Sequence, residues 1–247
     1  MFRPILAVPL LAALAMPVAA CSFSWDGDDA QGSGVPAQGT GGTRSYAVRD
    51  FDAIALGGTG DVEVRVGGDW SVTATGAPEV LDKLVIERDG DTLKLGRKRG
   101  TSWGKGDKVR FTVTMPRIEE ASIGGAGSIT VDRVPSGNFE GNIGGSGRLD
   151  IRNLAVDKAE FAIGGSGTVL ASGRARALEA TIGGSGNLQL KPLSTETAEI
   201  TIAGAGNVEA TASRTADVTI LGSGNVTIGG GAKCSTTKMG GGTVRCG

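Results

Sequence analysis

The chain has 247 residues, of which 43 are glycine, and its 25 lysines and arginines nearly balance 26 aspartates and glutamates. This balance excludes a general electrostatic attraction to nucleic acid. Histidine is absent, which removes the commonest general base and metal ligand. Glycine far exceeds its usual share of about 7%, but it recurs at fixed intervals, which is typical of regular corners and not of disorder.

Residues 1–20 have the organisation of an export signal: Arg3, an apolar run over residues 5–15, and then small residues. The run is shorter than the roughly 20 apolar residues that span a bilayer. The tetrapeptide Val-Ala-Ala-Cys that ends at Cys21 resembles the bacterial lipobox, in which the cysteine is lipidated and becomes the mature N-terminus. Ordinary cleavage before the cysteine is the alternative.

The cysteine count favours lipid modification. Cys234 and Cys246 lie close together near the C-terminus, where an oxidising compartment would let them form a disulfide. Cys21 is then left over, and acylation accounts for it. Such a protein would be exported to the cell envelope and held at a membrane by its N-terminal lipid, as an outer-membrane lipoprotein or in the periplasm.

The rest of the chain divides by composition. Residues 21–45 are rich in glycine, serine, glutamine and aspartate and have too few apolar residues to become ordered, so they predict a flexible tether. Residues 46–247 predict a single domain, with an irregular part over 46–118 and regular repeats over 119–247.

In the irregular part, short alternating runs near residues 72–74, 84–86, 93–95 and 109–113 predict strands. The turn Asp89-Gly90 predicts a hairpin between the second and third runs, and residues 78–83 predict one helical turn. An early copy of the glycine phrase described next begins at Gly57, about 67 residues before its successor. We expect this part to share the β architecture and to cap one end of the domain.

The regular part repeats one phrase, an isoleucine followed by a glycine-rich tetrapeptide such as Gly-Gly-Ser-Gly. The repeat isoleucines stand 18 to 20 residues apart, at Ile123, Ile143, Ile163, Ile182, Ile202 and Ile220. A unit this short cannot bury its own apolar face, so the fixed period indicates a solenoid of stacked units.

Alternation around each isoleucine identifies the kind of solenoid. The positions two before, six after and eight after are mostly apolar, and the positions between them are mostly polar. Strict alternation indicates half-buried strands. Each repeat therefore predicts two short strands joined by a glycine-rich corner, with equivalent strands paired in parallel. The expected fold is all-β: a single-stranded parallel β-helix, or β-solenoid, with rungs of about 18–20 residues.

The layout resembles the GIN-domain family of auto-transporter adhesin heads. The matching features are Phe51-Asp-Ala-Ile followed by Gly57-Gly-Thr-Gly-Asp-Val, the strand from Val109 that runs into Met-Pro-Arg-Ile118, and the Ile-Gly-Gly-Ser-Gly repeats. The resemblance extends from about Tyr46 to the C-terminus. It implies a β-solenoid of the bacterial envelope and brings no catalytic residues.

The most informative surface feature is a column of carboxylates three positions before each repeat isoleucine, here called the acidic ladder: Glu120, Glu140, Glu160, Glu179, Glu199 and Asp217. If the register holds, these side chains stand about 4.8 Å apart on one face. Opposed like charges are destabilising, and Lys158, Arg176 and Arg214 are candidates to offset them. The ladder is either a solvated, screened face or a site for divalent cations or a basic partner surface.

Two glycine motifs fail as ligand sites. The repeats lack the carboxylate that the calcium-binding nonapeptide needs, and the phosphate-loop likeness over residues 100–106 lacks the residue that would hold magnesium. The same loop gathers Arg97, Lys98, Arg99, Lys105 and Lys108 around Trp103. This loop is either solvated or a contact for anionic glycan or lipid headgroups.

Together these features favour a protein without cofactor, metal or catalysis, which presents a rigid surface for adhesion or for binding an envelope glycan or protein. A glycan-processing enzyme that uses the acidic face is one alternative, although it would need converging carboxylates of unequal pKa. A structural spacer is another. The cysteine pair is not a catalytic thiol pair because no histidine can activate it. The sequence leaves the oligomeric state open.

Overall fold

The computed structural model describes residues 34–98, 100–101 and 107–247, and nearly all of its regular structure is β-strand. The first part contains β1 (Ala37–Gln38), β2 (Thr43–Tyr46), β3 (Ala53–Leu56), β4 (Asp61–Val66), β5 (Ser71–Gly76), α1 (Pro78–Leu81), β6 (Leu84–Asp89), β7 (Thr92–Arg97) and β8 (Val109–Met115). The second part contains β9 (Glu120–Ile123), β10 (Ser128–Val131), β11 (Asn138–Ile143), β12 (Arg148–Ile163), β13 (Thr168–Ile182), β14 (Asn187–Ile202), β15 (Asn207–Leu221), β16 (Asn225–Gly229), β17 (Lys233–Met239) and β18 (Thr243–Cys246). The predicted helical turn is present as α1, and the predicted hairpin joins β6 to β7.

Equivalent strands of successive repeats pair in parallel, one rung above the next. Ile129 aligns with Leu149, and Leu149 aligns with Val169. The same register continues through β13, β14 and β15. The rungs form a parallel β-solenoid of about 6 turns, which confirms the predicted fold class.

The aliphatic columns predicted from the alternation face the interior. The repeat isoleucines are at most 1% exposed. Phe161 fits its column because Gly141 stands at the aligned position of the neighbouring rung, where a Cβ would lie 2.8 Å from the ring. Burying one large aliphatic side chain stabilises a fold by about 1.5–3 kcal/mol, so the shared dry interior is the main force that holds the rungs together.

The corners need glycine because successive corners stack almost in contact. The N–H of Gly164 donates to the carbonyl of Ile143 at 2.9 Å, and that of Ser166 donates to the carbonyl of Gly145 at 3.0 Å. A Cβ on Gly165 would lie 2.2 Å from the carbonyl oxygen of Gly145, whereas a Cβ on Gly164 would meet nothing within 4 Å. The corner therefore continues the hydrogen-bond ladder, and only some of its glycines are indispensable.

Each full turn contains three paired stretches, one more than the sequence predicted. β12 pairs with β13 along residues 148–151, then 154–156, then 158–163, with a register shift after Ile151. The middle stretch contributes the fully buried side chain of Leu154, and its counterpart in β14 is Leu193. The register shifts fall at this stretch and absorb the variable repeat length. Sequence alternation missed the stretch because its spacing from the isoleucine changes from repeat to repeat.

The first copy of the glycine phrase joins the stack out of chain order. β3 and β4 pair in parallel with β9 and β10 on one side and with β7 and β8 on the other. β3 and β4 form one rung, and β7 and β8 then form the rung outside it. The chain next crosses the stack, so that β9 and β10 continue it on the opposite side. The irregular part therefore belongs to the solenoid.

Antiparallel strands cover the outer rung. β6 pairs with β7, β5 pairs with β8, and β2 pairs with β5. These pairings satisfy the outer edges of β7 and β8 and cover the outer rung, as expected of a cap, and the edge of the sheet moves to β6 and β1.

The predicted boundary of the tether needs correction. Strand pairing begins inside residues 21–45, with β1 at Ala37, because β1 pairs with β2 and β2 gains backbone hydrogen bonds from β5. Arg44 on β2 also forms an ion pair with Asp82, at 3.0 Å between Nη2 and Oδ1. The predicted export signal, Cys21 and the first part of the predicted tether lie outside the described residues.

The opposite end of the stack is formed by β17 and β18, here called the terminal rung. Its Thr236 and Lys238 are in register with the inward-facing Val218 and Ile220 of the rung beneath. Ile220 is nevertheless 0% exposed. The terminal rung therefore covers the apolar interior with polar side chains, as terminal units of solenoids do.

A disulfide between Cys234 and Cys246 joins the two strands of the terminal rung. Lys238 Nζ also donates to the carbonyl of Gly242 at 2.7 Å. The rung is thus closed across its open side by a covalent bond and a hydrogen bond.

Substituting two neighbouring glycines tests the contact between corners. We expect Gly165→Ala to lower the free energy of unfolding by more than about 2 kcal/mol, in the range of overpacked sites, because its Cβ would overlap a carbonyl oxygen. Gly164→Ala should change it by less than about 0.5 kcal/mol, as at open surface sites. Urea denaturation measures both. Equal effects would contradict the stacking geometry.

Removing the disulfide tests the role of the terminal rung. The Cys234→Ala/Cys246→Ala double variant should lose about 2–3 kcal/mol, the loop-entropy value for a short closed loop. Hydrogen exchange should accelerate first in β16, β17 and β18 and remain slow in β12 and β13. Uniform acceleration along the whole stack would show instead that the bond supports the entire solenoid.

Candidate functional site: an acidic face and groove

The structure places the six carboxylates of the acidic ladder in one line along the stack. Backbone pairing aligns Glu120 with Glu140 and continues in register through β12, β13 and β14 to Asp217. The first four side chains are half-buried, and Glu199 and Asp217 are exposed. The face therefore combines residues that are nearly a hundred positions apart in the sequence.

A neighbouring column, three positions earlier in each rung, alternates in charge: Asp157, Arg176, Glu196 and Arg214. Arg176 Nη2 lies 2.5 Å from Asp157 Oδ1, and Arg214 Nη1 lies 3.2 Å from Glu196 Oε2. The prediction that these two arginines offset the ladder was wrong, because each pairs with a carboxylate of its own column. The ladder keeps most of its negative charge beside a balanced column.

Lys158 is the one predicted cation that contacts the ladder. Its Nζ lies 2.6 Å from Glu179 Oε2 and 2.9 Å from Glu160 Oε2, so it bridges two rungs. Hydrogen bonds to Glu179 and then to Glu160 raise the pKa of Lys158 well above its usual range. The ammonium therefore stays charged at every physiological pH and neutralises the middle of the ladder.

The two ends of the ladder differ in their hydrogen bonds. Ser122 Oγ donates to Glu120 Oε1 at 2.5 Å, and Asn142 Nδ2 donates to Glu140 Oε1 at 2.7 Å. Both donors orient carboxylates without neutralising them. At the other end, Glu199 and Asp217 form no ion pair with any residue that the structure describes.

The ladder opens at its first rungs into a groove of about 720 Å³. Asp52, Asp91 and Glu119 line this groove together with three ladder glutamates, and Lys158 is the cation among the lining residues that the structure describes. Arg117, which does not line the groove, forms ion pairs with two of these carboxylates. Its Nη2 lies 2.5 Å from Asp52 Oδ2, and its Nη1 lies 2.5 Å from Glu119 Oε1. The groove is broad, open and acidic, so it suits cationic groups better than a small apolar ligand.

Sequence reasoning missed the three additional carboxylates of the groove. Asp52 precedes Ala53 and Glu119 precedes Glu120, and the pairing of β3 with β9 aligns Ala53 with Glu120. An alignment of the first glycine phrase with the later repeats would have revealed this relation. Asp91 precedes β7, which carries no glycine phrase and left no signal in the sequence.

Other predicted features contribute less to the described surface. Cys21 and the residues Arg99, Trp103 and Lys105 of the cationic loop lie outside the described residues, and Lys98 Nζ donates to the carbonyl of Asp82 at 2.9 Å. Over residues 34–98, 100–101 and 107–247, no three carboxylate or cysteine side chains form a cluster that could hold a metal ion. Helices in the same ranges are all too short or too polar to cross a membrane.

Comparison with known proteins agrees with the fold. A crystal structure from Bacteroides fragilis, described as a "putative adhesin", has 24% sequence identity and a TM-score of 0.79, over 83% of this chain and 95% of that chain. A "putative lipid binding protein" from Parabacteroides distasonis has 21% identity and a TM-score of 0.65, over 85% and 98%. A "putative adhesin" from Parabacteroides merdae has 19% identity and a TM-score of 0.64, over 85% and 97%. These similarities show a shared fold.

Among curated proteins, none matches the chain in sequence. The family described as "Putative auto-transporter adhesin, head GIN domain" matches residues 50–232, which include both the out-of-order rung and the regular repeats. Adhesin-like families are typical of the cell surface or envelope. This chain therefore belongs to the GIN-domain family of auto-transporter adhesin heads.

Proposed function

We propose that this protein is an envelope lipoprotein, anchored through Cys21, whose solenoid binds a basic protein surface along the acidic ladder and catalyses no reaction. The observation that carries the proposal is the contrast between two neighbouring columns. The alternating column pairs its charges, whereas the ladder aligns six carboxylates with Lys158 as its bridging cation. Opposed like charges destabilise a sheet, so an unbalanced column has a cost that binding of a cationic partner would relieve.

The rigidity of the scaffold supports binding. The ladder residues sit on strands whose inward neighbours are almost fully buried, including Ala121, Phe161 and Ile200. A partner therefore meets carboxylates already held at strand spacing. Preorganisation of this kind lowers the ordering cost of association, and complementary charge accelerates the encounter.

The environment of the carboxylates supports a non-catalytic role. Glycan cleavage needs two converging carboxyl groups, one with a pKa raised by burial. The ladder carboxylates are half-buried or exposed and lie in an even row. The chain has no histidine to serve as a general base. These observations favour the binding surface over the glycan-processing alternative.

The anchor is tested in whole cells. With radiolabelled palmitate, the wild-type chain should incorporate label and fractionate with membranes, because the lipobox-like sequence presents Cys21 for acylation. Cys21→Ser should lose both the label and the membrane association. Label retained by the variant would contradict the anchor, and Cys234→Ala/Cys246→Ala provides the control for the other cysteines.

The acidic face is tested with a probe of opposite charge. The triple variant Glu140→Gln/Glu199→Gln/Asp217→Asn should bind a lysine decapeptide at least tenfold more weakly than the wild type, with a smaller dependence on salt, because three unpaired or hydrogen-bonded carboxylates are removed. Isothermal titration calorimetry measures the affinity, and a glutamate decapeptide is the negative probe.

A matched variant controls for net charge. Glu87→Gln/Asp150→Asn/Glu209→Gln removes the same charge from other faces and should keep the wild-type affinity. Equal losses in both triple variants would show non-specific attraction and would contradict a site on the ladder. If the wild type cleaves an envelope glycan and only the ladder variant loses this activity, the acidic ladder would be a catalytic site and the proposed binding function would be wrong.

A further inference from the structure

The terminal rung leaves one edge of the long sheet open. In the part of the chain that the structure describes, β17 pairs only with β15, and β18 pairs only with β16. The opposite end of the stack is covered by antiparallel strands. An open edge presents unpaired N–H and C=O groups on which a further strand can be added.

Two bonds within the terminal rung hold its edge in an ordered conformation. The disulfide between Cys234 and Cys246 joins its two strands, and the hydrogen bond from Lys238 closes the remaining gap. A strand that adds here would not have to order the edge first. Much of the entropic cost of strand addition is therefore already met by the fold.

The charge of the terminal rung restricts what can pair with it. Lys233, Lys238 and Arg245 are cationic, and residues 226–247 contain no aspartate or glutamate. Two copies joined edge to edge would bring these cations together, and opposed like charges are destabilising. The same cations attract a strand that carries carboxylates. This combination of repulsion from a copy and attraction to an acidic strand provides specificity.

An exposed apolar patch lies beside the edge. Met239 is 66% exposed and Leu221 is 40% exposed, and the two are aligned in register. The corresponding corner position in earlier rungs is glycine or alanine, such as Gly164 and Ala203. Among the described residues, these are the large hydrophobic side chains left exposed. The patch therefore offers a contact for an apolar residue of an added strand.

We propose that the terminal rung binds an extended, acidic segment of another protein by β-strand addition. The open backbone of β17 supplies hydrogen bonds, Lys233 contacts a carboxylate of the segment, and Met239 packs against an apolar residue. Arg245, on β18, adds electrostatic attraction to the acidic segment. This is the recognition mode in which main-chain bonds give affinity and alternate side chains give specificity. The site is distinct from the acidic ladder and has the opposite charge preference.

Synthetic peptides test the proposal on the folded mature chain. An acetylated and amidated (Glu-Val)5 peptide should bind, as measured by fluorescence anisotropy. The (Lys-Val)5 peptide should bind at least tenfold more weakly. A (Glu-Val)5 peptide that is N-methylated at alternate residues should also lose at least tenfold, because it keeps the charge but cannot pair with the edge.

Charge variants locate the binding. Lys233→Glu/Arg245→Glu should weaken binding of the acidic peptide at least tenfold. Lys191→Glu/Arg152→Glu reverses two exposed cations on another part of the stack and should retain wild-type affinity for this peptide. Thermal melting checks that both variants fold. The ladder variant Glu140→Gln/Glu199→Gln/Asp217→Asn should bind this peptide as the wild type does, so the two sites fail or succeed separately.

Several results would overturn strand addition. Equal binding of the methylated peptide would reduce the interaction to charge attraction alone. Equal losses in both charge-reversal variants would remove it from the terminal rung. A concentration-dependent increase in mass that the acidic peptide does not reverse would show that copies of this chain occupy the edge, and no binding of any peptide would exclude an acidic strand as its occupant.

Discussion

The structure depends on one constraint: successive rungs must stack in register at the spacing of strands in a sheet. Each position of the repeat then becomes a column, and each choice of residue is repeated along the molecule. Glycine is required at position 165 because a Cβ there would lie 2.2 Å from the carbonyl oxygen of Gly145 in the preceding rung. The isoleucine that precedes each corner is almost fully buried for the same reason, since it packs on its own equivalents above and below.

The same constraint makes surface charge collective. A single glutamate on a strand costs little, but a column of them opposes like charges in every rung. The alternating column of Asp157, Arg176, Glu196 and Arg214 shows that this fold accommodates a neutral arrangement on an adjacent line. Lys158 bridges two rungs of the ladder, and Glu199 and Asp217, at its far end, have no ion pair within the described residues. The unbalanced column is thus a property of this surface and not of the solenoid in general.

The sequence predicted the structural features that recur in every repeat and missed those that do not. The inward columns and the line of the ladder follow from alternation around the repeat isoleucines. The middle stretch of each turn was missed because register shifts near Ile151 and Leu170 absorb the variation in repeat length. The groove was missed for a different reason: Asp52, Asp91 and Glu119 meet through rungs that stack out of chain order, and local pattern contains no information about that order.

The two ends of the stack show that a solenoid has two separate problems at its termini. One is the exposure of the apolar interior, and the other is the unpaired backbone of the last strands. At the first end, the antiparallel strands β5 and β6 cover the outer rung and pair with its β8 and β7. At the terminal rung, Thr236 and Lys238 replace inward aliphatic residues and keep Ile220 fully buried, and within the described residues no further strand pairs with this rung. Side chains that shield a core cannot satisfy the backbone groups of an edge, so this end keeps a capacity for hydrogen bonding that water or an added strand must meet.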